Sequence, residues 1–305
     1  MNLKRINKAL ILILKVSIIA LAFYFIYYKL VTDNKIIWSD FETKIKNKFS
    51  FWIIILLLLF SILNRYLEIL KWKNLVLSIV PISTYEATKQ VLGALTAGIV
   101  TPNGIGEYAG KALFYEKIKT KKIILLNLVC NGVQMIFTVF FGLIGLFFLE
   151  YYQFGFTIIG IGIILYLIIT FIKKFKIKGY SLSVLFEKIN KIPKKIHQKN
   201  ILLGFLRYLV FSHQYYILFL IFDVHLPYLT LMSTIAVVYF LASSLPSFQM
   251  FDFAVKGSVA LFFFGKFDIN EWTIIFISTL MWFLNVVLPV IWGSFYVLNF
   301  KSKWK

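Results

Sequence analysis

The sequence predicts an all-α, polytopic membrane protein, and three observations carry the prediction. Of 305 residues, 60% are hydrophobic and only 15% are charged. Soluble domains carry about 25% charged residues and cannot cover this much apolar surface. The mean hydropathy is +0.83. The apolar residues also come in continuous runs, such as Phe51-Trp52-Ile53-Ile54-Ile55-Leu56-Leu57-Leu58-Leu59-Phe60. A transmembrane barrel would alternate apolar and polar residues at period two.

Runs near the ~20 residues that a helix needs to cross a bilayer occur at 9–31, 50–70, 122–149, 156–172, 201–222 and 272–299. They predict about six full spans in a single transmembrane domain, 1–305. The run 9–31 follows Met1-Asn2-Leu3-Lys4-Arg5 but is too long for a signal peptide, and no small-residue cleavage site follows it. It reads as the first span.

Two further stretches start apolar and then break. Residues 83–118 break at Thr101 to Gly106 and continue with Glu107, Lys111, Glu116 and Lys117. Residues 229–265 break around Ser243 to Gln249 and continue with Asp252 and Lys256. Irregular backbone at membrane depth survives only where protein or a water-filled cavity satisfies it. Each stretch is therefore expected to form a re-entrant hairpin or broken helix.

Charge placement sets the expected orientation. With both hairpins returning to their own side, segments 1–8, 71–74, 111–122, 173–199 and 301–305 carry 22 Lys or Arg. Segments 32–49, 150–155, 223–228 and 266–271 carry 5. The lysine-rich side is then cytoplasmic, with both termini in the cytoplasm and the chain multi-pass in the cell (inner) membrane. This distribution also accounts for the net charge of +20, so nucleic acid is not an expected partner. The stretch 173–200 is a basic cytoplasmic linker; its Leu and Phe residues suit either a solvated loop or an amphipathic element on the anionic inner leaflet.

In this arrangement the halves 1–150 and 151–305 have the same order of elements but start from opposite sides. That is an inverted repeat, with a site expected at the repeat interface. Each hairpin has a proline (Pro102, Pro246), then an acid (Glu107, Asp252), then a lysine four residues later (Lys111, Lys256). That spacing puts acid and lysine on one helix face.

The most informative stretch is Thr101-Pro102-Asn103-Gly104-Ile105-Gly106-Glu107 with Lys111. The break frees a helix N-terminus near Gly106, whose N–H groups and dipole favour an anion. Lipid phosphate is the natural anion there. The bland alternative is that the glycines serve helix packing and Glu107 caps the helix or pairs with Lys111. Asp252 and Lys256 have the same two readings. Arg65 and Glu68 are three apart and can pair; Arg65 and Arg207 either snorkel or, facing inward, suit bidentate phosphate recognition. The expected substrate-binding set is Pro102, Asn103, Gly104, Gly106, Glu107, Lys111, Arg65, Arg207, Asp252 and Lys256.

No complete catalytic constellation is found. Gly104, Gly106 and Gly110 lack the G-x-G-x-x-G pattern and its βαβ unit. His197, His213 and His225 have no metal-ligand spacing, and the lone Cys130 is a packing residue. Neither metal nor cofactor is expected.

The stretch Leu95 to Glu107, with Lys111 after it, resembles the first signature of the lysylphosphatidylglycerol synthase transmembrane-region family, also called flippase-like. The second signature is similar to Ser244-Leu245-Pro246-Ser247-Phe248-Gln249-Met250-Phe251-Asp252, with Phe248, Gln249 and Met250 in place of the usual glycines. The resemblance implies a bacterial-type integral membrane protein with two pseudo-symmetric halves that moves a lipid or lipid-linked anionic molecule across the bilayer. Some relatives add a soluble aminoacyltransferase domain. This sequence shows none after its last span, so lysyl transfer is not expected. Membrane lipids are the expected partners, and a homo-oligomer stays compatible. The alternatives are a membrane-embedded transferase acting on a lipid-phosphate substrate, with Glu107 as its best candidate base, and a non-catalytic membrane partner protein.

Overall fold

The structure, a computed structural model, describes residues 24, 43, 48–99, 101, 104–173 and 181–300. Apart from Tyr24, the expected span 9–31 lies outside the described residues, as do Pro102 and Asn103. Among the described residues the regular elements are helices, with no strand. They are α1 (Phe51–Val76), α2 (Thr84–Gly98), α3 (Ile105–Ala112), α4 (Thr120–Phe148), α5 (Tyr152–Ile172) and α6 (Leu182–Asn190). There follow α7 (Lys194–Ile221), α8 (Tyr228–Ser244), α9 (Asp252–Phe264), α10 (Glu271–Trp282) and α11 (Leu288–Leu298). A π-helical turn, Phe283–Val287, joins the last two.

Local sequence explains the starts. The Ser50 hydroxyl accepts from the Ile53 N–H at the head of α1. Ser83 and Glu86 form a capping box on α2. Asn270 caps α10. Pro193 and Pro227 stand just before α7 and α8, where a missing N–H costs nothing.

Among the described residues, four segments are long and apolar enough to cross a membrane: Phe51–Val76, Lys117–Phe148, Tyr152–Ile172 and Glu271–Leu298. The chain is thus a helical membrane protein. The helix α7 is long enough at 28 residues, but Arg207, His213 and Gln214 interrupt its apolar run. It also starts at Lys194, earlier than the expected 201, so the polar connection is shorter than 173–200 and carries α6. Its Pro193 sets that start. On α5 only Gly155 is buried, so this helix offers its apolar surface outward, as a lipid-facing helix does.

The described lysine-rich segments, 71–74, 111–122 and 181–199, gather at one end of the molecule. Asn74 donates to the Ile196 carbonyl at 2.8 Å. Ile192 packs with Trp72, Tyr115 and Ile123. The Phe114 and Phe300 rings meet at a tilt, their centres 4.7 Å apart. Residues 48–49 and segments 150–155, 223–228 and 266–271 gather at the other end. Lys48 and Asp223 pair at 2.6 Å, the Phe49 ring meets Phe222 and Phe276, and Lys266 donates to the Tyr151 hydroxyl.

Both interrupted stretches are helix pairs. The pair α2–α3 leaves from the lysine-rich end, where Lys73 bonds Thr84, and comes back to it at Tyr115. The pair α8–α9 starts just after Val224 and Leu226 and ends next to Lys266, at the lysine-poor end. Their breaks meet, the Met250 N–H donating to the Ile99 carbonyl at 3.2 Å. The helices α4 and α8 pack closely enough that a Cβ on Gly142 would run into the Phe240 side chain, the small-residue contact that lets helix backbones approach in lipid.

Candidate functional site

A cavity of about 430 Å³ lies where the two breaks meet. Its walls come from α1 (Asn64, Arg65, Glu68), the α2–α3 break (Gly104, Glu107, Tyr108), α4 (Asn131, Gln134, Thr138), α7 (Arg207), α8–α9 (Tyr239, Gln249, Asp252, Lys256) and the α10–α11 junction (Trp282, Asn285). Of the expected set, Gly104, Glu107, Arg65, Arg207, Asp252 and Lys256 line this one cavity.

Pairings across the cavity are partly unlike those the spacing suggests. Glu68 does not pair with Arg65, three residues before it on α1; it pairs with Arg207 of α7 at 2.5 Å. The Arg207 Nε donates to Asn64 Oδ1 at 3.0 Å, and Asn64 Nδ2 donates to Asn285 Oδ1 at 2.6 Å. Neither arginine snorkels. Arg65 instead donates from Nη2 to the main-chain carbonyl of Asn285 at 2.6 Å. The sequence explains why that carbonyl is open to it: Pro289, four residues on, has no N–H to return to Asn285. The π-turn at Phe283–Val287 accommodates the missing bond. Asn285 Nδ2 also reaches Gln214 Oε1 at 2.9 Å.

Lys111 does not reach the cavity. It is fully buried, donates to Glu107 Oε1 at 2.8 Å and to Asn127 Oδ1 at 2.7 Å, and sits 4.6 Å from the Trp72 ring centre. It holds the Glu107 carboxylate from behind and acts through it. Gly106 is likewise a packing residue and not a wall: a Cβ there would come within 2.7 Å of the Ala97 carbonyl and 2.8 Å of Thr101 Cγ2. The anticipated anion site on the α3 N-terminus is also occupied by the protein itself. The Gly106 N–H donates to Thr101 Oγ1 at 2.8 Å and the Glu107 N–H to the Gly104 carbonyl at 2.9 Å. Gly104 has φ of 65°, a left-handed conformation that glycine adopts without strain, and the Gln249 side chain of the second break lies against it.

In that second break Asp252 and Lys256 pair at 2.5 Å, both partly exposed to the cavity. Lys256 lies 5.2 Å from the Tyr239 ring centre. Several buried polar atoms here have no hydrogen-bond partner among the described residues: Arg65 Nε, both amide atoms of Gln134 and Gln249 Oε1. Each costs about 1–3 kcal/mol while unmet, so the cavity is suited to a ligand that offers both hydrogen-bond donors and acceptors. Among the described residues no group of three or more His, Cys, Asp or Glu could hold a metal ion.

Sequence reasoning passed over Asn131, Gln134, Thr138 and Asn285. A signal existed for the first three. Asn127, Asn131, Gln134 and Thr138 recur at helical spacing along an otherwise apolar run, which places them on one face. Asn285 was marked only by its place four residues ahead of a proline.

Comparison of the chain with family models, with curated proteins and with solved structures returns no match.

Proposed function

We propose that the chain is a multi-pass transporter that moves a lipid or lipid-linked anionic molecule across the bilayer, as the flippase-like resemblance implies. One observation carries the reading: two broken helix pairs leave opposite ends of the molecule and touch break to break beside a charged cavity. Discontinuous helices meeting near mid-membrane are how transporters commonly build a site, and two such pairs entering from opposite ends are what inverted halves would give. The lysine-rich end faces the cytoplasm of a bacterial-type cell under the positive-inside rule. The charged hairpins would carry the headgroup while the tails stay in lipid. The transferase alternative draws less support, because Glu107, its expected base, is engaged by Lys111.

The test uses purified protein in liposomes with a fluorescent phosphatidylglycerol, whose sidedness is read by dithionite bleaching. Wild type is expected to move the probe, and Asp252→Asn and Lys256→Gln to slow it at least tenfold while still inserting. Unchanged rates in both variants would remove the cavity from the mechanism. No movement by wild type, with any anionic phospholipid offered, would remove the proposal.

A further inference from the structure

A second hollow, of about 410 Å³, runs along α1 and the α10–α11 junction. It is lined by apolar side chains, among them Leu58, Ile62, Leu284, Leu288 and Trp292. Ile62 and Trp292 are 64% and 65% exposed, so the groove opens on the outer surface. One residue lines both this groove and the charged cavity: Arg65. The partition between them is thin. Leu284 faces the groove while its neighbour Asn285 faces the cavity.

Charge bookkeeping around the partition leaves a surplus. Glu107 is matched by Lys111, Asp252 by Lys256, and Glu68 by Arg207 at 2.5 Å. Lys71, fully buried, stands farther from Glu68, at 3.9 Å, and donates to the Cys130 carbonyl. Arg65 forms no ion pair among the described residues, and its buried Nε has no hydrogen-bond partner. An unmatched guanidinium inside a membrane protein is costly unless an anion completes it. Its planar donor set is suited to phosphate oxygens.

We propose that one phospholipid straddles this partition, its phosphate on Arg65 in the cavity and one acyl chain in the α1/α10–α11 groove. The proposal rests on the transporter reading and adds to it the doorway by which the lipid enters from the membrane. A soluble anion would satisfy Arg65 but leave the groove unused. An apolar chain alone would fill the groove but leave the charge unmatched. Only an amphipathic anion answers both.

The experiment uses phosphatidic acid carrying a diazirine on its acyl chain, and the matching phosphatidylcholine, each irradiated with the full-length protein in nanodiscs. Adducts are mapped by mass spectrometry. With phosphatidic acid, label is expected to concentrate on segments 58–69 and 284–292 at least fivefold over the lipid-exposed α5. Arg65→Gln is expected to abolish the preference for phosphatidic acid over phosphatidylcholine. Leu288→Trp, which fills the groove, is expected to remove groove label and lipid movement while glycerol 3-phosphate still binds the cavity in calorimetry. Label spread evenly over α5 and the groove, or an unchanged preference in Arg65→Gln, would overturn the proposal. Groove label without lipid movement by wild type would sink the transporter reading and leave this site standing. Movement without groove label would do the reverse.

Discussion

The helix pairs α2–α3 and α8–α9 each place a carboxylate one turn ahead of a lysine, yet their surroundings differ. In the first, Lys111 is 0% exposed and is fixed by Glu107, Asn127 and the Trp72 ring, while Glu107 itself is 14% exposed and reaches the cavity. In the second, the Lys256 and Asp252 side chains are 23% and 17% exposed and face the cavity. Identical spacing therefore produces two kinds of ion pair. The pair with the buried lysine is a structural commitment, because removing Glu107 strands the Lys111 charge where water cannot reach it. The other pair borders open cavity on the lysine's side. The difference comes from the helices behind each pair. Trp72 of α1 and Asn127 of α4 cover Lys111, whereas Lys256 has Tyr239 on one side and open cavity on the other.

The largest expected effect tests the buried member. Glu107→Gln should destabilise the protein by about 3–5 kcal/mol, read as a lowered unfolding midpoint in detergent micelles. Adding Lys111→Met to that variant should restore most of the loss, since a neutral pair strands no charge. Additive losses in the double variant would show that burial is not what separates the two pairs. Next is the close packing of α2 on α3. Gly106→Ala must push Thr101 and the Ala97 carbonyl aside and should cost about 1–3 kcal/mol in the same assay. The smallest stability effect falls on the cavity-facing pair. Asp252→Asn should cost about 1 kcal/mol or less, although it is the variant expected to slow lipid movement. A loss as large as that of Glu107→Gln would erase the distinction between the pairs.

The features that sequence disclosed are those written along one helix. Continuous apolar runs marked α1, α4, α5 and the α10–α11 segment, and Pro and Gly marked both breaks. The i,i+4 acid–lysine pairs were also visible, and both form. What sequence spacing could not show is which helices lie side by side. Arg65 and Glu68 looked like partners because they share a helix face. The approach of α7 brings Arg207 to Glu68 and leaves Arg65 to the Asn285 carbonyl. Gly106 looked like part of an anion cradle because a glycine after a break commonly is one. Its neighbours are the Ala97 carbonyl at the end of α2 and the Thr101 side chain. The polar face of α4 was legible in principle, but four uncharged residues in an apolar run draw less notice than a single lysine.

The seam between the two breaks is held by the Met250 amide and the Ile99 carbonyl, groups that every residue but proline supplies in full. Replacing either side chain leaves the linkage in place, and only a proline at 250 would delete its donor. Such a weld is invisible to any alignment of residue identities. It lets the side chains at 99 and 250 change while the joint between the two breaks stays closed.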